Sequence, residues 1–140
     1  MKKAIAVITL CLVASVAMAQ AGEVALKGYD PVAYFTQSKA VKGNSKFNTS
    51  WMGMTWNFAS KENLQKFVKS PQHYAPQYEG YCAFGVSKGK KAETDPEAWT
   101  IVNDKLYLNY SPDVQKEWLK DKANLIKVAD KNWPELKDQE

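Results

Sequence analysis

The chain has 140 residues, with 19 lysines and no arginine against 15 acidic residues and a single histidine, and its formal net charge is +4. A charge so close to balance leaves no electrostatic case for a nucleic-acid partner, and without arginine no guanidinium can clamp a phosphate or carboxylate bidentately. The length suits one hydrophobic core and is too short for two ordinary domains.

Lys2 and Lys3, the apolar run from Ala4 to Val16 and the small residues of Ala17-Met18-Ala19 are the three parts of a secretory signal peptide over residues 1–19. Cleavage is expected before Gln20, so the working protein is expected to be exported, periplasmic or secreted. The apolar run falls short of the ~20 residues that cross a hydrocarbon core, and no basic stop-transfer cluster follows it, so no stable membrane span is expected after cleavage. The mature chain then keeps 17 lysines, 19 minus Lys2 and Lys3, against 15 acidic residues, a net charge of +2. Cys11 leaves with the signal and Cys82 remains as the sole thiol, so no internal disulfide can form.

Residues 20–27 read as a short extended or flexible lead, and Gly28-Tyr29-Asp30-Pro31 as turn chemistry that opens the folded part, residues 28–136. Val32 to Phe35 is a short apolar segment and Lys39 to Ser45 a polar loop. Phe47, Thr49 and Trp51 then alternate with Asn48, Ser50 and Met52, a second alternating run covers Thr55 to Ala59, and Gly53 between them predicts a β-hairpin. Ser60 caps a helix with Leu64 and Phe67 on one face, ended by Pro71. From Pro71 to Gly89 no clean period exists, which predicts irregular structure built around aromatic packing. Trp99 to Val102 and Lys105 to Tyr110 form a second hairpin joined at Asn103-Asp104, a dipeptide that tolerates left-handed backbone. Ser111 caps a helix opened by Pro112, with Val114, Trp118 and Leu119 inward. Helix continues from Lys122 to Asp130 with Leu125, Ile126 and Ala129 inward, Trp133-Pro134 closes the domain, and residues 137–140 form a polar tail. No internal repeat or low-complexity tract is visible. The expected class is α+β, a small single domain in which short antiparallel β-hairpins pack against helices.

Gly28-Tyr29-Asp30-Pro31-Val32-Ala33-Tyr34-Phe35, the run from Trp51 to Asn63, and Phe67 with Pro71-Gln72-His73-Tyr74 resemble the YHS domain family. Gly80 to Val86, Asp95 to Trp99, Lys105 to Asn109 and Ala129 to Pro134 are similar to its exported, stand-alone branch. The resemblance implies a small α+β domain that in other branches accompanies copper-transporting ATPases and is suspected of binding or sensing metal. Those branches carry cysteine where this chain has Ala33 and Ala59, so their thiolate site does not carry over.

Four side chains hold the remaining soft-ligand chemistry: Cys82, His73, Met52 and Met54. Together they make a candidate copper set, since thioether, thiolate and imidazole suit Cu(I). Each also has a plainer reading: Cys82 as a small buried hydrophobe, His73 as a helix-end surface residue, and the methionines as packing or turn residues on either side of Gly53. No glycine-rich phosphate loop, no His-Glu-x-x-His and no Cys-x-x-Cys-His is present, and one histidine rules out a multi-His centre within one chain. The leading expectation is therefore a non-enzymatic binding module for a soft metal ion or small ligand. The alternatives are a redox protein or enzyme using Cys82 as a reactive thiol, and an interaction domain that docks an exported protein partner on the aromatics between Tyr74 and Phe84.

Overall fold

Two antiparallel hairpins supply all the sheet among the described residues, 22–140, of the computed structural model. The expected signal peptide lies outside those residues. Strand β1 (Asn44–Trp51) pairs with β2 (Met54–Phe58), and β3 (Asp95–Val102) with β4 (Lys105–Asn109). Met52 and Gly53 at the first tip have φ of 51° and 73°, and Asn103 and Asp104 at the second have 50° and 62°. Two successive left-handed residues match the right-handed twist of the strands they join, which is why both hairpins close in two residues.

The helices are α1 (Pro31–Thr36), α2 (Lys61–Lys69), α3 (Pro71–Tyr74), α4 (Ala83–Ser87), α5 (Pro112–Leu119) and α6 (Lys122–Leu136), so the domain is α+β. Proline opens α1, α3 and α5, where its missing N–H is no loss. Ser60 and Ser111 accept from the amides of Asn63 and Val114 at the starts of α2 and α5.

Four expectations are corrected by the structure. The segment from Pro71 to Gly89, expected to be irregular, holds α3, a left-handed turn over Gln77–Gly80 and α4, each too short to leave a readable period. The lead, expected to be extended or flexible, is extended and seated on β2 over its described part: Glu23 O accepts from Thr55 N at 2.9 Å, Val24 bridges Thr55, and Ala25–Gly28 forms a left-handed turn with Ala25 buried. An edge strand with free amides is what holds it there. Helix α6 continues through Pro134 to Leu136, because a proline near the end of a helix disturbs only its last turns. Leu119, expected to face inward, is 42% exposed, while its neighbour Trp118 is fully buried.

A further correction concerns repetition. The register pairs Thr49 with Trp56 and Trp51 with Met54 in one hairpin, and Thr100 with Tyr107 and Val102 with Lys105 in the other, every partner displaced by 51 positions. The irregularity between Asn44 and Asn48 recurs between Asp95 and Trp99. Ahead of each hairpin, two left-handed residues precede a Gly-Tyr pair: Leu26, Lys27, Gly28, Tyr29 and Tyr78, Glu79, Gly80, Tyr81. The next residue caps a short helix, Asp30 for α1 and Cys82 for α4. After each hairpin comes a serine-capped helix, and the ring pair Trp56 on Phe67 (5.1 Å) matches Tyr107 on Trp118 (5.6 Å). The chain therefore folds as two copies of one unit, spanning about 25–69 and 77–119.

Each copy has its own core. Val32, Trp56, Phe58 and Phe67 centre the first, while Tyr78, Val86, Tyr107 and Trp118 centre the second, where Ala129 and Leu136 of α6 join them. Tyr34, Leu106 and Leu108 form a third cluster in which the copies meet. The Tyr34 hydroxyl donates to Pro96 O at 2.9 Å and the Tyr78 hydroxyl to Asp130 at 2.8 Å. Burial, with Glu97 beside Tyr34 and Asp130 beside Tyr78, raises both phenols well above their ordinary range, and burial raises Tyr107 as well. The unfolded chain releases these protons near pH ~10 while the folded chain retains them, so their stabilisation is complete below that pH and declines as pH rises beyond it. Circular dichroism against pH is expected to show base-induced unfolding above about pH 10, with a shallower limb in Tyr78→Phe. A flat alkaline profile would contradict this.

Candidate functional site

The two left-handed turns face one another, and a cleft of about 440 Å3 lies between them. Residues 23–27 form one wall, residues 79–81 another, and Met52, Gly53 and Met54 at the hairpin tip border it. A Cβ placed on Gly80 would stand 3.7 Å from Leu26 Cδ2, which measures how closely the turns approach. Thr94 Oγ1 fixes the second turn by donating to Gly80 O at 2.7 Å. Glu23, Glu79 and Glu93 put three carboxylates on the cleft against one ammonium, Lys27, which stands 3.9 Å from Glu93. The cleft opens beside a smaller slot of about 120 Å3 that shares Met52, Met54, Trp56, Pro76 and Glu79 and adds Trp51 and Ala75.

Of the four sequence-derived ligands, only Met52 and Met54 share a surface. Met52 is 69% exposed at the tip, Met54 is half-buried, and both border the cleft and the slot. His73 lies on α3, with its ring 5.0 Å from Phe35 and 4.6 Å from Tyr74 and its Nδ1 3.4 Å from Asp104 Oδ2. Cys82 is 2% exposed. Its Sγ accepts from the amides of Gly85 (3.4 Å) and Tyr110 (3.2 Å) and donates to Asn109 Oδ1 (3.5 Å).

That bonding pattern is the one its counterpart makes. Asp30 Oδ1 accepts from Val32 N (2.8 Å) and Ala33 N (3.3 Å), while Oδ2 accepts from Ala59 N (2.8 Å) and Asn63 Nδ2 (2.7 Å). Ala59 and Tyr110 hold matching places after β2 and β4, so carboxylate and thiol each tie a short helix to the end of a hairpin. The lone pairs of Cys82 that a soft metal needs are directed at amides, and among the described residues no group of three or more His, Cys, Asp and Glu could hold a metal ion. A Cys82-centred copper site therefore does not fit these residues.

The aromatics between Tyr74 and Phe84 also serve packing. Tyr78 is buried, Tyr81 packs against Trp133 at 6.1 Å, and Tyr74 meets Phe35 edge-on. Sequence reasoning passed over Lys27, Glu23, Glu79 and Glu93 as cleft residues, because nothing in their identity announces a left-handed turn or the cleft beside it. The Gly-Tyr pair that recurs at 28–29 and 80–81 is the one signal that points to the paired turns.

Residues 32–78 match the YHS domain family. No curated protein and no solved structure matches the chain significantly. The matched segment runs from α1 to the second left-handed turn, covering most of the first copy, and the second copy lies beyond it. No helix among the described residues is long and apolar enough to cross a membrane.

Proposed function

We propose that this YHS domain-containing chain is an exported, non-enzymatic binding module whose ligand site is the cleft between its two left-handed turns. The observation that carries this reading is the cleft itself, a concave site with a few convergent polar groups, bordered by one equivalent turn from each copy. Holding Lys27 and Glu79 at φ of 52° and 54° costs about 1 kcal/mol apiece, and strain of this kind gathers where chain geometry serves a site. Soft-metal binding is a second reading, favoured by the two thioethers on this cleft and independent of Cys82 and His73.

Native mass spectrometry of the mature chain with a defined panel of small metabolites and Cu(I) tests the site. One adduct of single stoichiometry is expected, lost when the exposed lining residue Val24 is enlarged in Val24→Trp and kept in Cys82→Ser. An adduct that survives Val24→Trp and disappears in Cys82→Ser would overturn the proposal. Export predicts a mature chain beginning at Gln20, read from the intact mass of the protein recovered outside the cytoplasm; recovery of the uncleaved chain would contradict it.

A further inference from the structure

The slot beside the cleft has a distinctive chemistry. Glu79 is the one ionisable group on its wall, and the rest of that wall is Trp51, Met54, Trp56, Ala75 and Pro76, with Met52 at the rim. The two indoles meet edge to face at 5.7 Å and 63°. The Trp56 Nε1–H donates to Trp51 O at 2.9 Å, and the Trp56 ring packs on Phe67, so the aromatic corner is held from behind.

The repeat accounts for the slot. In the second copy Tyr107, the counterpart of Trp56, packs with Trp118 and with Ala129 and Leu136 of α6, and Val102, the counterpart of Trp51, packs against the same cluster. In the first copy the corresponding helix α3 is a single turn ending at Tyr74, and Ala75 and Pro76 form only a low far wall. The face that a long helix covers in one copy is left as a slot in the other.

We propose that this slot binds a methylated ammonium ion, a proposal that rests on reading the cleft as the ligand site. Indole rings attract a cation through their negative faces, and the Glu79 carboxylate supplies the countercharge. Glu23 and Glu93 in the adjoining cleft add to the negative field, with Lys27 set against Glu93. Methylation is the discriminating feature: a primary ammonium entering a wall with one acceptor leaves donors unsatisfied, whereas a quaternary ammonium has no N–H to satisfy.

Choline is the probe, titrated against the mature chain by tryptophan fluorescence, with its uncharged isostere, carbon replacing the quaternary nitrogen, as the control. Saturable choline binding is expected, with the isostere about tenfold weaker and Glu79→Gln and Trp51→Leu each weakening choline about tenfold. Glu79→Gln keeps the shape of an exposed side chain, so it stays informative if Trp51→Leu perturbs the fold. A parallel arm with phosphatidylcholine vesicles separates a free ion from a lipid headgroup. Equal binding of choline and isostere, or choline affinity untouched by Glu79→Gln, would remove the ammonium and leave an apolar slot. Absence of any choline binding overturns the proposal without touching the cleft reading, which the metabolite panel tests separately.

Discussion

Asp30→Ala is expected to lower the unfolding free energy by about 4 kcal/mol, a large share of the ~5–15 kcal/mol that a domain of this kind possesses. The carboxylate is fully buried and accepts four hydrogen bonds, three from backbone amides and one from the Asn63 side chain, with no lysine ion pair to it among the described residues. Its removal strands amides at the start of α1 and the end of β2 together, and each buried unsatisfied donor costs about 1–3 kcal/mol, less than additively when they share one partner. Asp30→Asn retains one acceptor oxygen but turns an N–H group toward donors at the other position, so its loss is expected to be smaller, about 2 kcal/mol. Urea unfolding at constant m-value measures both, and a change below about 1 kcal/mol in Asp30→Ala would contradict the account.

Cys82→Ala is expected to cost about 2 kcal/mol, because the amides of Gly85 and Tyr110 lose their acceptor. The smaller loss follows from the partner: sulfur accepts weakly compared with a carboxylate, and Asn109 Oδ1 still receives the Phe84 amide at 3.1 Å. Ligand affinity is expected to be unchanged in Cys82→Ser. In the native protein Cys82 is expected to label with thiol reagents only as fast as the domain opens, so labelling should accelerate in Asp30→Ala in step with its lost stability. Rapid labelling of the folded wild-type protein would restore the reactive-thiol reading.

The hairpins and capped helices were legible because their signals are local. Alternation around Trp51 and Trp56, turn chemistry at Gly53 and Asn103-Asp104, and Ser60 and Ser111 ahead of apolar spacing each act within a few residues. The repeat was not legible, because the two copies meet the same geometry with different chemistry. Met52-Gly53 and Asn103-Asp104 make the same left-handed turn, Asp30 and Cys82 the same cap, and Phe58 and Asn109 the same strand end. Only isolated identities such as Thr49 with Thr100 and Ser60 with Ser111 remain along that offset. Leu26, Lys27, Tyr78 and Glu79 take positive φ without being glycine, so the turns that wall the cleft lack their usual marker. Cys82, His73, Met52 and Met54 drew attention as rare chemistry, yet their separation is set by the duplicated topology, which residue type does not encode.

The duplication also gives Cys82 a role that needs no ligand. A thiol that ties α4 to the end of β4 is shielded from solvent by burial, and the ligand site proposed above is the opening between the turns. The amide-shift map of the mature chain, saturated with the compound that forms the adduct, tests that division most directly. The account predicts perturbations centred on Leu26, Lys27, Met54, Glu79 and Gly80; a map centred on Phe84, Gly85 and Tyr110 around Cys82 would contradict it.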